Sequence, residues 1–124
     1  MSDQASSKEL IVETIDDVLV VRFPSVPLFG EEIVAETSRT LSALAANLTA
    51  KAMVLNFSNV ELIASRGLGE VMALYKKLGK KVLVCGLSPK LSELFTIVFL
   101  DQLLDIYPTE GEAIEAGRQA PDDE

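Results

Sequence analysis

The chain has 124 residues, 48% of them hydrophobic, which suits one folded domain with a single core and excludes disorder over most of its length. Its net charge of −8 disfavours nucleic acid and anionic membrane surfaces as partners. Histidine is absent, which removes the most common general base and metal ligand, so we expect neither an enzyme nor a metal or cofactor site.

Cysteine usage and hydropathy indicate the compartment. The single cysteine, Cys85, lies in an apolar run and is predicted to be a small core residue rather than a reactive thiol. No apolar stretch approaches the ~18 residues that a membrane-spanning helix needs. We therefore expect a cytoplasmic protein without membrane insertion.

The amino-terminal part predicts an arm, a hairpin and a helix. Residues 1–8 are expected to form a flexible arm. Two β-branched runs, 10–15 and 18–23, flank a pair of aspartates and predict a hairpin, after which the prolines within 24–27 predict the end of regular structure. A helix is predicted from Gly30, and its apolar stripe comprises Ile33, Thr37, Leu41, Leu44 and Leu48.

The middle of the chain alternates between apolar runs and helical patterns. Residues 53–57 and 81–85 are short and apolar almost throughout, which predicts two buried strands. The helix predicted between them spans 66–78, with a buried face of Leu68, Val71, Met72, Tyr75 and Leu78.

The carboxyl-terminal part carries clear signals for helix starts. Ser88 followed by Pro89 predicts an N-cap and a first helical residue, and that helix is expected to bury Leu91, Leu94, Phe95 and Val98. A short strand is predicted over 103–107. Residues 109–112, Thr-Glu-Gly-Glu, have the spacing of a capping box for a last helix.

The predicted element order is β-β-α-β-α-β-α-β-α. It lies in a single domain over residues 9–118, followed by an acidic tail at 119–124. Alternating strands and helices predict an α/β fold with a mixed sheet of about five strands and about four helices packed on it.

The segment from Asn59 to Gly69 joins a predicted strand to a predicted helix. It places Ser65 where a helix begins, beside free backbone N–H groups and the positive end of the helix dipole. Ser65 there either caps the helix or carries a phosphate. A nucleophilic role is disfavoured, since Ile63 stands where a hydrolase elbow has glycine and no histidine is present to act as the base.

Several linked motifs resemble a known family. The STAS domains of bacterial anti-sigma factor antagonists carry Leu-Asp-Leu-Ser-Gly-Val, then Ile-Asp-Ser-Ser-Gly-Leu-Gly, then Leu-Ser-Pro. The chain has similar sequences in the same order at 55–60, 63–69 and 87–89, and the whole of 53–107 resembles such a domain.

The resemblance implies a regulatory function. It implies that Ser65 is a phosphorylation site and that the partner is an anti-sigma factor that is also a serine kinase of the histidine-kinase-like ATPase type. A PP2C-type phosphatase would reverse the modification. The unphosphorylated form would sequester the partner, and the phosphorylated form would release it. The expected contact residues are Asn59, Val60, Glu61, Leu62, Arg66, Gly67, Leu68 and Gly69.

The sequence departs from the family motif around the serine. Ala64 replaces the preceding aspartate, Arg66 replaces the second serine, and Asn56 replaces an aspartate of the strand. An arginine can pair with a bound phosphate, although the same changes can remove recognition by the kinase. Two functions therefore stay open: an anti-sigma factor antagonist switched at Ser65, and an unphosphorylated scaffold or adaptor subunit of a stressosome or lipid-transport complex.

Overall fold

The computed structural model describes residues 10–23, 26–29, 34–46, 48–78 and 81–119. The predicted arm at 1–8 and all but the first residue of the predicted tail at 119–124 lie outside the described residues. So do Gly30 and Ile33, where the first helix was predicted to start.

The described chain forms strands and helices in the order expected for an α/β domain. The strands are β1 (Ile11–Ile15), β2 (Val18–Arg22), β3 (Val26–Phe29), β4 (Ala52–Asn56), β5 (Val60–Ile63), β6 (Val82–Cys85) and β7 (Asp105–Tyr107). The helices are α1 (Val34–Ala46), α2 (Ser65–Leu78), α3 (Pro89–Ile97) and α4 (Glu110–Arg118), with a short 3-10 turn at Leu100–Gln102.

Five strands form the main sheet, in the order β1-β2-β4-β6-β7. The hairpin β1–β2 is antiparallel, while β2–β4, β4–β6 and β6–β7 are parallel. Asp16 and Asp17 make the hairpin turn with φ of 51° and 69°, a left-handed conformation that aspartate tolerates better than most residues. The predicted mixed sheet of five strands with four helices is confirmed.

The sheet separates two layers of apolar packing because neighbouring residues of a strand point to opposite faces. The larger layer lies under α1, α2 and α3, and Phe57 sits in it with its ring centroid 4.7 Å from that of Phe23 and 6.1 Å from that of Phe95. The smaller layer packs against α4. Strand β4 is buried on both faces from Ala52 to Leu55, as its apolar sequence predicted.

A second, two-stranded parallel sheet was not predicted. Strand β3 pairs with β5 in the register Val26↔Val60, Leu28↔Leu62 and Phe29↔Ile63. The prediction that the prolines end regular structure was therefore wrong for residues 26–29. Pro27 falls between paired positions of a strand that has one neighbour among the described residues, and its missing N–H is tolerated there.

The chain after α3 also differs from its prediction. Val98, expected in the core, is 40% exposed, and the predicted strand at 103–107 begins only at Asp105. The reason is local: α3 ends at Ile97, and Phe99 adopts the left-handed conformation with φ 65° before the 3-10 turn. This conformation redirects the chain and leaves the Phe99 side chain 64% exposed.

The conformation of Phe99 predicts an unusual stabilising substitution. A left-handed backbone costs a bulky residue roughly 1–2 kcal/mol and costs glycine almost nothing, and the exposed ring packs little. We expect Phe99→Gly to raise the free energy of unfolding by up to about 1 kcal/mol, measured by urea denaturation. The matched control is Ile97→Gly, at a similarly exposed helical residue, which should lower it by about 1 kcal/mol. Equal losses in both variants would contradict the argument.

Candidate functional site

The predicted site lies beyond the carboxyl end of β4. The Asn56 side chain caps the turn there, because its Oδ1 accepts a hydrogen bond from the Ser58 N–H at 2.8 Å. The Val60 N–H then donates to the Phe57 carbonyl at 3.0 Å, which returns the chain into β5. Ser58 therefore lies in a turn, and β5 leads through Ala64 to Ser65.

Ser65 is the first residue of α2 and is exposed. The Leu68 N–H donates to the Ala64 carbonyl at 3.0 Å, so Ala64 is the N-cap and the interpretation of Ser65 as the N-cap was wrong. A methyl side chain accepts no hydrogen bond, so Ala64 cannot satisfy the first N–H groups of α2. In the described part of the chain the Ser65 hydroxyl has no hydrogen-bond partner, and it stands free beside them.

The structure divides the predicted contact residues into surface and core. Val60 is 2% exposed and Gly67 is buried, so neither residue is accessible to a partner. Leu68 is half-buried. Leu62 is 43% exposed and is the large apolar side chain that this segment presents to solvent. We call the exposed set the Ser65 surface; it comprises Asn59, Glu61, Leu62, Ser65, Arg66 and Gly69.

Sequence reasoning missed a polar network behind this surface. The Arg22 guanidinium makes two hydrogen bonds to the Glu110 carboxylate, from Nε at 2.8 Å and from Nη2 at 3.0 Å. Asn56 Nδ2 donates to Glu110 Oε2 at 2.8 Å, and Arg22 Nη1 also reaches Glu13 Oε1 at 2.8 Å. The network ties the ends of β2 and β4 to the start of α4 and orients the amide that caps the Ser58 turn.

The network shifts the pKa values of Glu110 and Arg22. The hydrogen bonds from Arg22 lower the pKa of the Glu110 carboxyl below its usual 4.5, burial opposes this effect, and the Asn56 amide adds to it. The pKa of Arg22 is raised by its bonds to the two carboxylates. Beside the network, burial of Cys85 raises the pKa of its thiol to about 12, and the thiolate is therefore scarcely formed near neutral pH.

A glycine supports the same turn from the end of β6. Gly86 has a φ of 75°, and a Cβ built on it would lie 2.4 Å from Ser58 Oγ and 3.1 Å from Asn56 Oδ1. Only glycine fits both the conformation and the space. The turn before the Ser65 surface thus depends on the Asn56 side chain of β4, which caps it, and on Gly86 after β6, which leaves room for it.

The described ranges contain neither a metal-ligating cluster nor a bilayer-spanning helix. Within them, no three histidine, cysteine, aspartate or glutamate side chains are grouped to hold a metal ion. Across those residues, no helix has both the length and the apolarity to cross a bilayer.

Comparison with known proteins gives one family match. The model of the STAS domain matches residues 9–113. The search of curated proteins finds no match. Among the similar solved structures is an anti-sigma factor antagonist from Mycobacterium paratuberculosis, with 28% identity and a TM-score of 0.79 over 90% of this chain and 94% of that one.

Two further structures share the fold at lower identity. The unphosphorylated anti-sigma factor antagonist SpoIIAA, whose phosphorylated form is described from Bacillus, has 19% identity and a TM-score of 0.73 over 92% of this chain and all of that one. A chain from the stressosome has 17% identity and a TM-score of 0.65, covering 87% of this chain and 96% of that one.

The Glu110 network predicts a pH-dependent contribution to stability. The pKa of Glu110 is lower in the folded protein than in the unfolded chain, so its stabilisation is full near neutral pH and is lost as the pH falls below about 4.5. We expect Glu110→Gln, which keeps an acceptor for Asn56, to cost about 1–2 kcal/mol at pH 7 and progressively less as the pH falls below 4.5, measured by urea denaturation. Glu13→Gln, at a more exposed carboxylate with one bond, should cost under about 0.5 kcal/mol. A loss independent of pH would refute the assignment.

The two glycines near the site should respond oppositely to alanine. Gly86→Ala forces a Cβ onto Ser58 in a left-handed backbone and should lower the free energy of unfolding by roughly 2 kcal/mol or more. Gly69→Ala places a methyl in open space on α2, and the higher helix propensity of alanine should stabilise the protein by up to about 1 kcal/mol. Thermal unfolding of both variants distinguishes these effects by sign.

Proposed function

The chain belongs to the STAS domain family, and on that premise we propose that it acts as an anti-sigma factor antagonist. Its partner is an anti-sigma factor that is also a serine kinase of the histidine-kinase-like ATPase type. It works by binding rather than by catalysis, in the cytoplasm. The observation that carries the proposal is the position of Ser65, exposed at the start of a helix whose N-cap is an alanine.

The Ser65 surface has the features of a protein-docking site. Leu62 offers an exposed apolar anchor, and the polar residues Asn59, Glu61 and Arg66 are exposed in the same segment as the serine. Gly69 lies four residues after Ser65 in α2, and a Cβ built there meets nothing within 4 Å. A partner can therefore approach the helix backbone closely at this position. Arg66 has no ion pair within the described residues and is exposed, which leaves its charge free for a partner or a phosphate.

Phosphorylation of Ser65 would act on the partner rather than on the fold. A phosphate adds about −1.5 to −2 charges, and the N–H groups and dipole at the start of α2 stabilise that charge in the free protein. At the centre of a docked interface the phosphate must be desolvated. It also lies close in the sequence to the like charge of Glu61. Partner affinity therefore falls while the STAS domain stays folded. A PP2C-type phosphatase restores the binding form.

A second function is supported by the fold of the stressosome chain. A STAS subunit can also serve as an unphosphorylated scaffold, as the likeness to that assembly suggests. The replacements Ala64 and Arg66 beside the serine agree with this alternative if they prevent recognition by a kinase. The two functions differ in one measurable property, which is whether Ser65 acquires a phosphate.

The experiment uses the purified protein, its candidate kinase and ATP. Intact-mass spectrometry should find one phosphate, absent in Ser65→Ala and retained in Ser58→Ala, a matched control at an exposed serine of the preceding turn. Ser65→Glu should weaken binding to the kinase by at least roughly tenfold in calorimetry. If the complex is stable without phosphate transfer and Ser65→Glu binds with equal affinity, the phosphorylation switch is refuted and the scaffold function is supported.

A further inference from the structure

A cavity of about 570 Å³ lies at the other end of the sheet from the Ser65 surface. It opens between the β1–β2 hairpin and α1 and is bounded by the chain that leads into β4. Its apolar lining includes Leu19 from β2, Leu44 from α1 and Leu48 from the connection, all half-buried. The volume is within the range of small-molecule sites in proteins.

Two opposite charges lie in the lining of this cavity. Arg39 of α1 and Asp17 of the hairpin turn both contribute to it, and both are exposed. Within the described residues neither has an ion pair. The neighbouring Asp16 does not line the cavity, and it has an ion-pair partner, since its carboxylate lies 3.9 Å from Arg118 Nε.

The position of Asp17 is fixed by the backbone. Its carbonyl accepts a hydrogen bond from the Lys51 N–H at 2.9 Å, which ties the hairpin turn to the chain just before β4. Arg39 is fixed at its Cα by α1. The two charges thus belong to two different elements, the hairpin turn and α1, and both line the same apolar cavity.

We propose that this cavity binds a free amino acid with an apolar side chain. The Arg39 guanidinium pairs with the carboxylate of the ligand, the Asp17 carboxylate pairs with its ammonium, and the three leucines contact its side chain. The two charges cancel, which disfavours nucleotides and other polyanions. The site is separate from the Ser65 surface and gives the protein a route to sense a metabolite that does not depend on phosphorylation.

The test titrates the full chain with L-leucine, N-acetyl-L-leucine and L-leucinamide and follows backbone amide shifts by NMR. Leucine should shift amides of residues 14–19 and 39–50. N-acetyl-leucine lacks the ammonium and leucinamide lacks the carboxylate, so each should bind about two- to fivefold more weakly, the effect expected for one exposed ion pair. Absence of shifts in these ranges, or equal affinity for all three compounds, would overturn the proposal.

Charge variants assign each end of the ligand. Arg39→Gln should weaken leucine and N-acetyl-leucine and leave leucinamide unchanged. Asp17→Asn, which suits the left-handed turn, should weaken leucine and leucinamide and leave N-acetyl-leucine unchanged. Asp16→Asn and Arg66→Gln are the matched controls outside the cavity and should change none of the affinities. Any other pattern contradicts the assignment.

A filling variant tests the cavity itself. Ala43 lines it from α1 and is exposed, so Ala43→Leu adds apolar volume within the site at a position where helix propensity is kept. The variant should retain the amide spectrum of the folded protein and lose leucine binding at least fivefold. Unchanged binding in a folded Ala43→Leu variant would show that the ligand binds elsewhere.

Discussion

Parallel pairing around β4 is the constraint on which the rest of the molecule depends. Because β2, β4 and β6 run in the same direction, their carboxyl ends meet at one edge of the sheet and their amino ends at the other. Asn56 and Gly86 therefore converge on the Ser58 turn although they are far apart in the chain, and Arg22 binds the same Glu110 carboxylate as Asn56. The same geometry sets the hairpin turn and its cavity at the opposite end.

The turn before α2 connects this framework to the proposed interface. The Glu110 carboxylate orients Asn56, the Asn56 amide caps the Ser58 turn, and β5 carries the chain on to α2. Buried polar groups here are fully bonded: among the described residues no buried side-chain nitrogen or oxygen lacks a partner. A fully bonded edge of this kind would let the proposed charge change at Ser65 act on a bound partner without loosening the domain.

The sequence predicted those parts of the fold that rest on local signals. The hairpin, the buried strand β4, and the N-caps Ser88 and Thr109 each follow from a few adjacent residues, and the caps accept hydrogen bonds at 3.2 Å from Leu91 N–H and Glu112 N–H. The pairing of β3 with β5 and the bond between Arg22 and Glu110 join distant segments, and no local pattern encodes them. At the site, the family motif located Ser65, but the N-cap fell one residue earlier because the carbonyl of Ala64 begins the helix.

The mixed direction of the sheet also bears on how the protein folds. The β1–β2 hairpin joins neighbours in sequence, Ile15 with Val18 at its turn, and hairpins of this kind form in about 1–10 μs. Every other pair in the main sheet crosses over an intervening segment, and such pairing must await the closure of a long loop. We therefore expect the hairpin to form first, and the edge that presents Ser65 to assemble after β4 and β6 have docked beside it.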